Sequence, residues 1–552
     1  MNHEDIDANL STFTIEGHIV DVERSDIYEG KVIVENGLIR EIIRTPVSSE
    51  YFLLPGLIDA HVHIESSMLS PTQFARLAVQ HGTVGTVSDP HEIANVLGIQ
   101  GVEFMLEDAK RTPFKFMFGA PSCVPATTFE TAGATLGPDE IEYLLERDDI
   151  GYLAEVMNFP GILAKDELLL KKIEIAKTFG KPIDGHAPGL RGAQAREYIQ
   201  SGIQTDHECF SYDEAKEKLE LGMKIIIREG SAAKNFDALI PLLNEYPQHI
   251  MFCSDDKHPD SLVEGHINVL LRRSVQKGCN PMDAIRAATK NPIDHYHMKV
   301  GLIQESDPAD FIVVDNLSNF NVLKTYIDGQ LVASKGQTLL PEQTIEPINR
   351  FHRYQVSPQQ IQVKAEANSL IRVIEALPGE LITKESTAEP LLKNNYVVSD
   401  PEKDILKLVN VNRYHEAPPA IGFVKNIGLK SGAIAGSVGH DSHNIIAVGT
   451  SDEEICSAIN LLMEHAGGLA LTNGEERKVL PLEIAGLMST KDGFYVANLY
   501  TELDQRAKEL GSSLPAPFMT LSFLPLLVIP DLKLSDKGLF SILDLKYKSL
   551  LL

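Results

Sequence analysis

Basic residues are in short supply. Fifty lysines and arginines stand against 77 aspartates and glutamates, a formal net charge of −27. That balance argues against nucleic acid as a partner, because such binding rests on neutralising phosphates with Lys and Arg. A small neutral or weakly basic substrate fits better. Cysteine is sparse as well: Cys123, Cys209, Cys253, Cys279 and Cys456 are scattered, odd in number and without CxxC spacing. This excludes a disulfide framework and a cysteine zinc site, and points to a reduced, cytosolic chain. Long apolar runs are missing too. The most apolar tail segment, 521–529, is far short of the ~20 residues that span a bilayer. The opening stretch from Met1 to Asp7 is acidic and lacks the basic-then-apolar order of a signal peptide, so a cytoplasmic protein without a membrane partner is expected.

What is present is length and a soluble composition. The 552 residues, 43% hydrophobic and 23% charged, exceed the roughly 250–300 at which one core stops growing. Residues 12–52 alternate in short strand-like segments with a turn at Glu35-Asn36-Gly37, the pattern of a small antiparallel sheet. From 53 to 295 the pattern becomes strand, loop, helix, repeated. Strand candidates end near Asp59, Ser88, Gly119, Val156, Gly185, Asp206, Ile227 and Ser254, with helical patterns at 71–80, 93–110, 167–179, 192–200, 213–221 and 236–244. Eight such units over about 250 residues predict an α/β fold of the (β/α)8 TIM-type barrel class, with its active site where the strands end. Short strands return over 296–345, at 301–303, 309–315 and 325–331, so a small β-sandwich is expected from residues 1–52 and 296–345 together. A polar connector over 343–363 leads to residues 364–552, read as a separate α/β-type domain with a helix at 453–465 and a strand at 469–472.

The stretch from Pro55 to Ser67 carries the chemistry: Pro-Gly-Leu-Ile-Asp-Ala-His-Val-His-Ile-Glu-Ser-Ser. Period-2 alternation turns His61 and His63 to one face, where two imidazoles can grip one metal ion. A histidine pair alone is commonly an ordinary feature of a strand. Here Glu155, His186, His207 and Asp255 recur just after further predicted strands, a dispersed constellation with the residue types of a metal site.

The order of flanking sheet, Pro55-to-His63 motif, barrel and returning Ala309-Asp310-Phe311 resembles the amidohydrolase superfamily. Within it, the run His63 to Ser67, the run from Ser88 to Val96 (Ser-Asp-Pro-His-Glu-Ile-Ala-Asn-Val), the run Pro121 to Ala126 and Ser254-Asp255-Asp256 resemble the bacterial adenine deaminases. The similarity extends over nearly the whole chain, including the C-terminal domain that most amidohydrolases lack. It implies hydrolytic deamination of adenine to hypoxanthine and ammonia by metal-activated water, in purine salvage, by a cytoplasmic homodimer or homotetramer. It also implies a binuclear divalent-metal centre, with His61, His63 and Asp255 on the more buried ion and His186 and His207 on the second. Glu155 then bridges, where many relatives use a carboxylated lysine. Imidazoles and carboxylates without thiolate suit Mn²⁺, Fe²⁺ or Zn²⁺, and the resemblance favours manganese.

Asp255 is the expected general acid and base, its alternative being one of two adjacent acids capping the next helix. Glu208 reads as a second proton carrier or as a partner orienting an imidazole. Asp89, His91 and Glu92 read as purine contacts or holders of an extra cation, or as helix caps. Arg228, Glu229, Gly230 and Ser231 read as a polar loop or a substrate wall. The run Gly439 to Asn444 reads either as a flap over the barrel mouth or as a buried turn. The glycines at 428, 432, 436 and 439 form no GxxxxGKS/T or GxGxxG phosphate cradle, which favours a free base over a nucleotide. The PCxxC zinc set of cytidine-type deaminases is absent. Two other readings stay open: an amidohydrolase for a cyclic amide or N-acyl substrate, and a non-catalytic barrel scaffold.

Overall fold

A computed structural model describes residues 12–231, 233–366 and 369–552. The stretch from Met1 to Asp7 lies outside the described residues. Eight short parallel strands carry the site: β1 (Leu57–Val62), β2 (Thr83–Ser88), β3 (Lys115–Ala120), β4 (Ile150–Val156), β5 (Ile183–Gly185), β6 (Thr205–Asp206), β7 (Lys224–Arg228) and β8 (Ile250–Cys253). Every residue of β1, β2 and β8 is buried, as expected of parallel strands covered on both faces. The first five pair in sequence order as one parallel sheet and the last three as another. Beyond β8, the Asp255 N–H donates to the His61 carbonyl at 2.9 Å and the His63 N–H donates to the Asp255 carbonyl at 3.3 Å. Between β5 and β6, the Gln204 N–H donates to the Ile183 carbonyl at 2.9 Å.

Strands from before and after this region share one eight-stranded sheet, in which Phe52–Pro55 lies between Phe13–Asp21 and Phe311–Val314. The hairpin Val322–Ile327 to Gln330–Ser334 turns through Asp328 and Gly329, at φ 48° and 72°, the conformation that Asp-Gly turns favour. Three local expectations are corrected. Residues 93–110 are not one helix: His91–Leu97 and Ile99–Ala109 meet at Gly98, whose φ of 63° and ψ of −141° only glycine adopts easily. Residues 236–244 split into a single α-turn, Phe236–Leu239, and a 3₁₀ turn, Ile240–Asn244, because Pro241 lacks the N–H that would continue the ladder. Residues 301–303 form no strand; Ile303 sits at φ 60°, outside the β region.

The C-terminal part holds a second eight-stranded sheet. One face of its central strands packs against the helix Asp452–His465, through Ile455, Ile459 and Leu462. Ser451 starts that helix, its hydroxyl accepting from the Glu454 N–H. Among the described residues no helix is long and apolar enough to cross a membrane.

Candidate active site

His61 near the end of β1 and His63 just beyond it turn to one side as period 2 requires, both buried, with their Nε2 atoms 3.2 Å apart. The His63 Nδ1–H donates to the Asp89 carbonyl at 3.1 Å, which leaves Nε2 with its lone pair directed inward. Glu155, at the end of β4, places one oxygen among three rings. Its Oε2 lies 3.5 Å from His61 Nε2, 3.3 Å from His186 Nδ1 and 3.0 Å from His207 Nε2. Asp255, at φ 53°, follows β8 and sets Oδ1 at 3.2 Å from His63 Nε2 and 3.6 Å from His61 Nε2. Six side chains that are up to 194 residues apart in sequence (255 − 61 = 194) therefore converge. Groups such as His61, His63 and Glu155, or Glu155, His186 and His207, hold their ligand atoms within 4.8 Å of one another.

The arrangement fits cations. Two Nε2 atoms at 3.2 Å subtend an ordinary angle at one ion about 2.1 Å from each, and Glu155 Oε2 stands between the β1 pair and the His186–His207 pair. Electrostatics point the same way. Burial alone would raise both carboxyls, yet the His186 and His207 rings hold Glu155 well below the ordinary range, and Arg228, His63 and His207 do so for Asp255. Both acids are anionic at neutral pH, the state in which a carboxylate can hold a divalent cation.

Supporting contacts hold these groups still. Asp59 accepts from the Ser254 N–H at 2.9 Å and from His266 Nε2–H at 2.9 Å, and the other ring nitrogen of His266 meets the Thr83 hydroxyl at 2.7 Å. Asp59 thus locks β1 against the Ser254–Asp255 corner. Asp206 pairs with the buried Lys218 at 2.6 Å and accepts from the Glu208 N–H at 2.8 Å, steadying the His207 corner.

Arg228 is the group that the loop reading undervalued. Its Nη2 donates to Glu208 Oε2 at 3.1 Å, and its Nη1 donates to Glu208 Oε1 and, at 2.6 Å, to Asp255 Oδ2. A substrate wall or polar loop describes it less well than a clamp on two carboxylates. Of the four residues expected to contact substrate, His91 and Glu92 line the cleft and Asp89 and Ser231 do not. Asp89 accepts from the His91 N–H and from His91 Nδ1, each at 3.0 Å. The Ser231 hydroxyl accepts from the His258 N–H at 2.9 Å. Glu92 has neither oxygen free: His440 Nδ1 and His443 Nε2 each lie 2.5 Å from it.

Those two histidines bring the C-terminal part over the site. The turn at 439–444 is buried, and His440 and Asp441 line the cleft, so the flap and the buried turn are one structure. The His440 ring stacks on Phe523 at 4.3 Å between centroids. Burial opposes its protonation, but Glu92 pushes His440 up to about 9. The cleft is narrow, and the histidines and carboxylates share its lining with Leu381, Phe523, Leu526, Val528 and Ile529. The apolar tail segment 521–529 supplies all of these apolar residues but Leu381.

Lys533 ties that lining together. It is buried and donates to the carbonyls of Leu381 at 2.7 Å and Phe523 at 3.0 Å. Burial lowers its ammonium to about 7, against about 10.4 in an unfolded chain. Between those values the unfolded state binds the extra proton. Stability from this group is therefore greatest above about 10.4 and is lost as pH falls to about 7, by up to ~1.4 kcal/mol per pH unit. Lys533→Met is expected to flatten that part of the profile in urea denaturation at pH 7 to 9.5; an unchanged slope refutes it.

Comparison with known proteins agrees with the geometry. Residues 52–332 match the amidohydrolase family and residues 380–545 match the adenine deaminase C-terminal domain. An adenine deaminase of Methanosarcina mazei is 52% identical over 546 residues, 97% of this chain and 98% of that one. Those of Salinibacter ruber and a Sulfurovum species are 53% and 54% identical, covering 96% and 95% of this chain and 97% of each relative. With the amidohydrolase match spanning the residues that converge on the cleft and the second match spanning its roof, the chain belongs to the adenine deaminase family of the amidohydrolase superfamily.

Proposed function

We propose that the chain hydrolyses adenine to hypoxanthine and ammonia, using a pair of divalent cations held by His61, His63, His186, His207, Glu155 and Asp255. One observation carries the proposal: the Glu155 carboxylate converges with three imidazoles in a partly enclosed cleft that also has apolar lining, which suits a flat ring. Such cations supply a nucleophile at neutral pH by lowering the pKa of water from about 15.7 to about 7. Manganese is the favoured ion, with iron or zinc able to use the same donors. Water oxygen adds to C6, the C6–N bond breaks, and ammonia leaves. Asp255, ionised and aimed inward, takes the proton from the attacking water and returns it to the leaving nitrogen. Arg228 orients Asp255 and Glu208 together, and Glu208, 3.7 Å from His207 Nε2, is the second proton carrier or imidazole support. His91 faces the substrate, held by Asp89, while Glu92 anchors the roof.

The domain division follows the same reading: a closed eight-stranded barrel over 53–295, a flanking β-sandwich from 1–52 and 296–345, and a roof domain over 364–552. Purine salvage in the cytoplasm by a homo-oligomer is the expected setting. The test is ammonia release from adenine, with adenosine and dihydroorotate in parallel, on protein reconstituted with Mn²⁺. Adenine-selective release that disappears with chelator is the expected result. No release from adenine by metal-loaded protein overturns the substrate and moves the activity to another amidohydrolase reaction.

A further inference from the structure

Among the described residues, one carboxylate at the cleft has a buried oxygen without a hydrogen-bond partner. Asp441 is only 5% exposed, lies on the turn that Glu92 pins through His440 and His443, and lines the cleft; its Oδ2 is buried with no hydrogen-bond donor. Its neighbours are engaged: Glu92 by two histidines, Glu208 by Arg228, Asp255 by Arg228 and His63, Asp256 by the Ser66 hydroxyl. A buried acceptor left unmet costs stability, and the turn that carries it is otherwise firmly built. The Asn444 side chain donates to the Thr131 carbonyl at 2.9 Å, and the Tyr414 hydroxyl donates to the Ser442 carbonyl at 2.5 Å. Such an oxygen on the roof of a cleft is an acceptor kept for the ligand.

This step rests on adenine as the substrate. Reaction at C6 commits the amino group and N1 to the metal side. Of the remaining ring nitrogens two are acceptors, and one, in the imidazole half, carries a hydrogen. Adenine therefore offers the roof one N–H donor. We infer that Asp441 is a specificity-determining residue that accepts this ring N–H, selecting the free base against N9-substituted purines. In a nucleoside the hydrogen is replaced by a sugar: the carboxylate then stays unpaired, and a polar group must be placed near the Leu381–Phe523 wall. Sites that leave a buried polar group unpaired in the wrong ligand discriminate by as much as about 10⁴–10⁵.

The test compares wild type, Asp441→Asn and Asp441→Ala, each metal-loaded, on adenine and 9-methyladenine, with thermal unfolding alongside. Asp441→Ala is expected to lower kcat/KM for adenine by about 10²-fold, with 9-methyladenine unchanged or improved, while the unfolding midpoint holds or rises because an unmet acceptor is gone. Asp441→Asn, which keeps one acceptor without the charge, is expected to fall between. Wild type that deaminates adenine while Asp441→Ala keeps the wild-type ratio of adenine to 9-methyladenine overturns the inference and leaves the deaminase reading standing. A parallel loss on both substrates with a lowered midpoint also overturns it, as a purely structural role. Wild type inactive on adenine overturns the underlying reading and the inference with it.

Discussion

Glu155→Gln is expected to fold, to keep less than half of the divalent metal that the wild type holds, and to lose about 10³–10⁴ in kcat. One oxygen, Glu155 Oε2, lies within 3.5 Å of rings from the ends of β1, β5 and β6. An amide has the same shape but no charge, and one of its two heavy atoms is a donor. Turned toward His207, the amide nitrogen cannot serve as a ligand; turned away, the carbonyl gives the two imidazole pairs only a neutral oxygen. Two cations held at the neighbouring imidazole pairs would repel strongly at low dielectric, and the charge of a carboxylate placed among those rings would offset that repulsion. If each imidazole pair holds an ion, the one at the less buried His186 would leave first, since His186 is 16% exposed at its side chain against 0% for His61. Metal analysis after purification without chelator checks this. Full occupancy with a wild-type rate refutes the bridging role.

How far the site could be read from the chain depends on the range of the interactions. His61 and His63 were legible because period 2 is a local property, and the alternation that turns them inward also marks Asp59, which locks their strand to Ser254 and His266. His186, His207, Glu155 and Asp255 were legible as ligand-type residues following strands, since parallel α/β strands present their C-terminal ends to one side. Arg228 was not. Whether a guanidinium at a strand end faces solvent or clamps Glu208 and Asp255 is decided by contacts across 20 and 27 residues, which no local pattern encodes. The partners of Glu92 lie 348 and 351 residues away, so its loop could not be told from a substrate contact. The broken helix at Gly98 had a local sign, an isolated glycine inside a helical pattern, but only the backbone shows that it stops the ladder.

Asp255→Asn is the complementary case, in which chemistry is expected to fail before binding or folding does. Asp255 Oδ2 is already committed to Arg228 at 2.6 Å, so Oδ1 is the oxygen that faces the imidazoles and the cleft. Arg228 is a donor only, so in the variant it selects the amide carbonyl and turns the NH₂ inward. The inward atom then neither accepts a proton nor serves as an anionic ligand. General acid–base groups contribute about 10²–10⁴, and kcat is expected to fall by at least that much, while KM for adenine moves only a few-fold. The unfolding midpoint should change little, since Arg228 keeps its bidentate partner Glu208 and the new carbonyl. The control is Arg228→Met, which strands two buried carboxylates and should cost about 3–5 kcal/mol of stability as well as activity. A change in KM alone for Asp255→Asn would mean that Asp255 binds ground state and transition state equally, and the proton would then have to travel through Glu208, which Arg228 also holds and which lies 3.8 and 3.7 Å from His186 Nδ1 and His207 Nε2.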